Sequence, residues 1–144
     1  MVTLLPRRRV APQRATFRVP ELSQIHQQPQ PDDLVRFWRR IARTRRPEVK
    51  LLKQHLSDWQ MAEAKRTGFI PVVGSKGGTW VVQIFPESLN MYRIYLDDDG
   101  REKQQARHRC LVFTHDDQMP PLDWVIGKVL LLEADEGRVE RVAN

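Results

Sequence analysis

The amino-acid sequence predicts an α+β fold in which two or three N-terminal helices pack on an antiparallel β-sheet or small barrel, preceded by a disordered basic arm. Apolar residues recur at helical spacing over residues 33–67. From Phe69 onwards they alternate with polar residues or form short runs between Gly, Pro and Asp turn signals. The chain of 144 residues has the usual size of one domain. We therefore expect one α+β domain over residues 32–144, helical over 32–68 and mainly β over 69–144.

Residues 1–31 are predicted to form the disordered arm, which is basic and rich in proline. They contain five prolines and a glutamine-rich run, and no helical or strand period is visible among them. Within the arm, Phe17 to Pro20 is a candidate for packing against the folded body. Basic arms of this kind commonly follow a phosphate backbone or enter a minor groove. The arginines of the arm that we assign to binding are Arg7, Arg8, Arg9 and Arg14.

The first helix is predicted from Asp33 to Thr44, after an N-cap signal at residues 31–33. At about 100° per residue, one side of this helix is apolar and the other is basic. The apolar side consists of Leu34, Phe37, Trp38, Ile41 and Ala42, and the basic side of Arg36, Arg39, Arg40 and Arg43. Four guanidinium groups at this spacing repel one another by roughly a few tenths of a kcal/mol per pair. Either an anion neutralises them, or the face is simply solvated.

The next helical stretch begins at Pro47, after Arg45 and Arg46 extend the basic patch. Ser57 and Gln60 match a capping box, in which each side chain satisfies the other residue's backbone N–H. The stretch is therefore either one helix or two short ones, at about 48–55 and 58–67, with Gly68 as the C-terminal stop.

The remainder of the chain is predicted to consist of strands. A hairpin joins 69–73 to 79–85 through the loop from Gly74 to Gly78, with Lys76 at its tip. Further strands are expected at 91–96, 107–114, 124–132 and 138–142, with turns at 97–100 and 134–137. The sheet would then contain five to seven strands. Cys110, the single cysteine, is expected to be a small buried hydrophobic residue in one of them.

The order of elements over residues 33–85 resembles a winged helix-turn-helix. In that family the third helix enters the major groove and the hairpin, or wing, contacts phosphate. The resemblance implies that residues 58–67 form the reading helix, with Lys76 on the wing. The polar positions of that helix would be Gln60, Glu63, Lys65 and Arg66. The alternative is a plain helical layer on a sheet with a solvated lysine loop.

A second resemblance concerns the C-terminal part of the chain. It rests on the motifs Leu111-Val112, Asp116-Asp117, Pro120-Pro121-Leu122, Trp124, Gly127-Lys128-Val129, Gly137-Arg138-Val139 and Arg141-Val142. These motifs resemble the end of the integrase region in BEL/Pao-type retrotransposons. The resemblance implies a small β-barrel DNA-binding tail rather than a catalyst. Alternatively, Pro120, Pro121 and Trp124 anchor a loop over the core.

The charge distribution indicates the class of partner. The net charge is +6, but residues 1–50 carry a net charge of +8 and residues 51–144 a net charge of −2. Such a concentration of positive charge attracts polyanions. We therefore expect a nucleic-acid-binding accessory protein, for DNA rather than RNA, such as one of a mobile element or phage. Its candidate binding residues are Arg7, Arg8, Arg9, Arg14, Arg36, Arg39, Arg40, Arg43, Arg45, Arg46, Lys65, Arg66 and Lys76. The alternative is a protein-interaction module or inhibitor that docks its basic surface on an acidic partner protein.

Catalysis is not expected, and we assign no catalytic residue, no metal ligand and no cofactor. Acidic residues cluster at 97–99 and at 115–117, which makes a metal-dependent nuclease the catalytic alternative. Consecutive acids in a tight turn, however, usually point in different directions. The loop from Gly74 to Gly78 lacks the spacing of a nucleotide-binding P-loop.

Neither a membrane span nor a signal peptide is expected. No apolar run approaches the length that crosses a bilayer, and three arginines follow the first six residues. We therefore expect a cytoplasmic protein.

Overall fold

Four helices and four strands make up the described part of the chain. The computed structural model describes residues 16–23, 29–86, 90–110 and 121–143. Its elements are α1 (Pro31–Thr44), α2 (Arg46–His55), α3 (Asp58–Thr67), β1 (Phe69–Val73), β2 (Thr79–Gln83), β3 (Asn90–Leu96), β4 (Glu102–Cys110) and α4 (Pro121–Val142). The strands form one antiparallel sheet in the order β1-β2-β3-β4. The predicted α+β class is confirmed.

The N-terminal helices follow the sequence pattern closely. In α1, Leu34, Phe37 and Ile41 are buried, and the arginines lie on the exposed side. Between α2 and α3 the chain breaks, because the Ser57 hydroxyl accepts a hydrogen bond from the Gln60 backbone N–H at 3.2 Å and the Gln60 side-chain oxygen accepts one from the Ser57 backbone N–H at 3.0 Å. The prediction of two short helices is therefore confirmed, and the expected capping box is the reason for the break.

Both faces of the sheet are covered over β1 and β2. On one face, buried residues such as Ile70, Trp80 and Met91 pack against the helices. The helices contact mainly β1 and β2, since α3 and α4 lie on β1 and α4 also reaches β2. On the other face, Val81 and Ile94 belong to a second apolar cluster. This alternation follows from the two-residue period of a strand.

The second face is covered by residues 16–23, which we call the N-terminal strap. Val19 and Leu22 of the strap are buried against this face. The indole N–H of Trp59 donates to the Phe17 carbonyl at 2.8 Å. The packing that we expected between Phe17 to Pro20 and the folded body is therefore present, and the packed segment extends to Ser23. The strap belongs to the folded body, so the body begins well before residue 32. Residues 1–15 and 24–28 of the predicted arm lie outside the described residues.

The C-terminal segment departs from the prediction. The strands expected at 124–132 and 138–142 are wrong, because residues 121–142 form α4, with one non-helical residue at Asp135. The buried side chains of α4 recur at intervals that place them on one side of a helix. They are those at positions 122, 125, 126, 129, 132 and 139. The expectation of a mainly β segment over 69–144 thus holds only to Cys110. The sheet has four strands among the described residues rather than five to seven, and residues 121–142 do not form the small β-barrel tail that the integrase resemblance implied.

The remaining strand predictions are largely correct. β3 covers the strand expected at 91–96, and the turn after it contains Gly100, whose φ of +77° favours glycine. β4 begins at Glu102, earlier than expected, and residues 111–114 lie outside the described residues. Cys110 lies in β4 as predicted but is partly exposed. No helix in the described part of the chain is long and apolar enough to cross a membrane.

Candidate functional site

The arginine face of α1 borders a cleft of about 470 Å³, which we call the arginine cleft. The cleft is lined by Arg36, Arg39, Arg40 and Arg43, by Phe37 and Phe85, and by one acidic residue, Asp33. The ring centroids of Phe37 and Phe85 are 4.8 Å apart, so the two rings form an aromatic floor. The Arg40 guanidinium lies 5.9 Å from the Phe37 ring centroid. The sequence predicted the four arginines, but not Phe85, which is brought beneath them by the end of β2.

The charges of this cleft are largely unneutralised. Arg36 lies 3.9 Å from the Asp33 carboxylate, and both side chains are exposed, so this pair contributes little. Within the described ranges, Arg39, Arg40 and Arg43 form no ion pair. Arg45 and Arg46 follow at the junction of α1 and α2 and do not line the cleft. The site is therefore a positively charged cleft with an apolar floor.

Two polar residues of α3, which the winged helix-turn-helix resemblance placed on the reading helix, are buried in the fold. The Gln60 amide is buried and donates to the Pro71 carbonyl at 3.0 Å. Glu63 is also buried and accepts hydrogen bonds from Arg66 at 2.7 Å and from the Val19 backbone N–H at 2.7 Å. These side chains hold α3 to β1 and to the strap, so the interpretation of Gln60 and Glu63 as base-reading residues is wrong. Lys65 remains exposed.

The hydrogen bonds of Glu63 also shift its ionisation. Burial raises the pKa of the Glu63 carboxyl, but the hydrogen bonds from Arg66 and Val19 outweigh burial and leave that pKa below its usual value. Arg66 donates to the Val19 carbonyl as well, at 3.0 Å. The Arg66 guanidinium is thus engaged within the fold, although sequence reasoning assigned it to nucleic acid.

The hairpin loop from Gly74 to Gly78 encloses the buried carboxylate of Glu136, which α4 supplies. That carboxylate accepts hydrogen bonds from the Lys76 backbone N–H at 2.8 Å, from the Gly78 N–H at 3.2 Å and from the Trp80 indole at 2.6 Å. A Cβ on Gly78 would lie 1.9 Å from the nearer carboxylate oxygen, which explains why glycine is required there. Lys76 is exposed at the tip as predicted, but its backbone is fixed to α4.

The environment of Glu136 favours the ionised carboxylate. Burial raises its pKa, but the hydrogen bonds from Trp80, Lys76 and Gly78 lower that pKa more, and it lies below the usual value of 4.5. Sequence reasoning missed this residue because Ala134 to Gly137 was assigned to a turn between strands. The glycine spacing in the hairpin loop was the only available signal.

A second group of arginines lies on the helix-facing side of the sheet, beyond the part that the helices cover. Arg93 of β3 is the direct cross-strand partner of Arg107 of β4, and Arg109 follows on the same side. Sequence reasoning missed this group because it concentrated on the charge excess of residues 1–50. The alternation of Arg107 and Arg109 along a strand could have revealed it.

Metal-binding clusters are absent from the described residues, where no three His, Cys, Asp or Glu side chains come together. In the acidic turn, Asp97 accepts hydrogen bonds from the backbone N–H groups of Asp99 and Arg101 at 2.9 and 3.0 Å, and so stabilises the turn itself. The other acidic cluster, at 115–117, lies outside the described residues.

The candidate residues thus separate into the four arginines of the cleft, which the fold brings together, and five that lie elsewhere, namely Arg45, Arg46, Lys65, Arg66 and Lys76. Arg7, Arg8, Arg9 and Arg14 lie outside the described residues. Comparison with known proteins adds no relative: no protein-family model, no curated protein and no solved structure matches this chain.

Proposed function

We propose that this protein binds nucleic acid, with duplex DNA as the preferred form, and that the arginine cleft of α1 receives its phosphates. The observation that supports this proposal is the convergence of Arg36, Arg39, Arg40 and Arg43 around one cleft with little neutralising charge. A guanidinium suits this role because its planar fork can donate two hydrogen bonds to one phosphate.

The aromatic floor strengthens the attraction. An apolar wall lowers the local dielectric constant and concentrates the field of charges that line a cleft. The Phe37 and Phe85 rings supply such a wall in the lining of the cleft, and the Arg40 guanidinium lies 5.9 Å from the Phe37 ring centroid. A bound phosphate also removes the mutual repulsion of arginines spaced three and four residues apart. Both effects favour a polyanion over a single small anion, since several phosphates can be engaged at once.

Changing Arg36, Arg39, Arg40 and Arg43 to Gln tests the proposal. We expect the slope of log affinity against log salt for duplex DNA to become less steep by up to about 3.6, at roughly 0.9 for each lost phosphate contact. The four side chains are exposed and Gln has good helix propensity. The free energy of unfolding should therefore change by less than about 1 kcal/mol. Fluorescence anisotropy at several salt concentrations and urea unfolding provide the two measurements.

The matched control removes the same charge elsewhere. Lys50, Lys53, Arg101 and Arg138 are also exposed, and none of them lines the arginine cleft. Their change to Gln should leave most of the DNA affinity and most of the salt slope intact. Equal losses in the two variants would show that binding depends on net charge rather than on the cleft. Failure of the parent protein to bind DNA even at low salt, together with binding to polyglutamate, would replace the proposal with the acidic-partner alternative.

A further inference from the structure

The exposed margin of the sheet holds like charges in direct opposition. Arg93 and Arg107 are cross-strand partners, and Arg109 is the partner of Met91 on the same side. Like charges directly opposite one another destabilise a strand pair. The fold nevertheless places three guanidinium groups around one cleft of about 270 Å³, with Trp80, Tyr95 and Glu140 as the other lining residues.

The three arginines differ in how many of their hydrogen-bond donors already have an acceptor within the protein. Arg93 is held in place, since its Nη1 donates to the Thr79 carbonyl at 2.9 Å and its guanidinium lies 4.7 Å from the Tyr95 ring centroid. Arg109 donates to the Ala143 carbonyl at 3.4 Å, but its buried Nε has no acceptor among the described residues. The Arg107 side chain is exposed and, over the same ranges, forms neither a hydrogen bond nor an ion pair. The Arg107 guanidinium is therefore left for a ligand, and Arg109, whose hydrogen bond to Ala143 is a long one, lines the same cleft.

A cleft of about 360 Å³ adjoins the first one at the edge strand β4, and we call the two together the sheet groove. Tyr95 and Arg107 line both parts. The second part is lined otherwise by Gln104, Gln105, Ala106 and His108, and both glutamines are exposed. The groove thus has arginines at one end, amide side chains at the other and an aromatic ring where the two parts meet.

We propose that the sheet groove binds single-stranded nucleic acid, with phosphates on Arg107 and Arg109 and a base stacked on Tyr95. Single strands are recognised by arginines that follow the backbone and by aromatic rings that stack on bases. The amides of Gln104 and Gln105 can donate to and accept from base edges, which are accessible when the strand is unpaired. Arg93 acts as a positioning residue that fixes the ring of Tyr95. This proposal shares only the class of ligand with the proposed function, because the two surfaces have no residue in common.

Anisotropy titration with a short fluorescent oligothymidine tests the groove in the full-length protein. Arg107→Gln should make the salt slope less steep by about 0.7, and the Arg107→Gln, Arg109→Gln double variant by about 1.4. Tyr95→Ala should weaken binding roughly 5-fold or more, as expected for the loss of one stacked base. Tyr95→Phe keeps the ring and should bind like the parent. The thermal midpoint of each variant is measured in parallel, and Arg107→Gln changes only an exposed side chain.

An abasic oligonucleotide of the same length separates stacking from charge. Tyr95→Ala should not alter affinity for this probe, whereas the arginine variants should weaken its binding as they do for oligothymidine. If the arginine and Tyr95 variants all bind oligothymidine with the parent's affinity and salt slope, the groove proposal is overturned. Should duplex DNA binding still depend on the four arginines of α1 in that case, the proposed function stands without the groove. Absence of binding to any nucleic acid at low salt overturns both.

Discussion

Changing Glu136 to Ala is expected to lower the free energy of unfolding by about 3–5 kcal/mol, since several hydrogen bonds to a buried charged group are lost at roughly 1.5–3 kcal/mol each. Its carboxylate is the common acceptor for the Trp80 indole and for the backbone N–H groups of Lys76 and Gly78. Without it, three donors in or near the core lose their acceptor, and the hairpin loop loses two of its hydrogen bonds to α4. Urea unfolding at neutral pH measures the loss.

The close contact between Gly78 and Glu136 provides an internal control. An alanine methyl group at position 78 would displace the carboxylate from its present position, because its Cβ would lie 1.9 Å from the oxygen. Gly78→Ala should therefore cost several kcal/mol in the parent and only about 1 kcal/mol in the Glu136→Ala background, where the remaining neighbour is the Arg93 guanidinium at 3.1 Å. Gly77→Ala should cost about the same in both backgrounds, since it meets only the strain of its φ of +85°. Equal costs of Gly78→Ala in both backgrounds would contradict the arrangement of this loop.

The same carboxylate makes stability depend on pH in a defined direction. The pKa of Glu136 is lower in the folded protein than its usual value of 4.5. Its contribution to stability is therefore complete above pH 4.5, and it disappears as the pH falls through the lower, folded-state pKa. The stability difference between the parent and Glu136→Ala should accordingly shrink on acidification from pH 5. A constant difference down to pH 2 would show that the carboxylate is not preferentially ionised in the folded state.

The part of the fold that the sequence predicted is the part governed by local signals. In α1, sequence spacing alone separates Phe37 and Ile41 from the arginines, and between α2 and α3 a short-range capping box determines the break. α4 was assigned wrongly because the short apolar run of Val129 to Leu132, which lies between Gly127 and Gly137, also fits a buried strand. The helical spacing of the buried residues from Leu122 to Leu132 was the competing signal, and packing of that side against α2 and β1 favours the helix.

The candidate site could likewise be predicted only where its residues are close together in sequence. The arginines of α1 could be assigned to one face because they belong to one helix, whereas Phe85 enters their cleft through the course of β2. Arg93 and Arg107 are neighbours only because of the strand register, which depends on the turn and on the pairing of β3 with β4. Contacts between residues far apart in sequence thus account for what sequence reasoning missed at both surfaces.

The N-terminal strap is expected to contribute a large share of the stability, although its sequence has no secondary-structure pattern. Val19 and Leu22 are 5% and 2% exposed, and burial of each stabilises the fold by about 1.5–3 kcal/mol. The strap also supplies the Val19 backbone N–H to the buried carboxylate of Glu63. Removal of residues 1–23 should therefore lower the free energy of unfolding by more than about 3 kcal/mol relative to removal of residues 1–15.

Point variants keep this prediction testable if the longer truncation does not fold. Leu22→Ala should lower the free energy of unfolding by about 2–5 kcal/mol, the usual range for a buried leucine. Glu21→Ala, next to it and exposed, should change it by less than about 0.5 kcal/mol. Amide hydrogen exchange should show faster exchange in β3 of Leu22→Ala, since Tyr92 and Ile94 form the surface that the strap covers. If Leu22→Ala is as stable as Glu21→Ala, the strap does not pack on the sheet in solution, and the folded body begins after it.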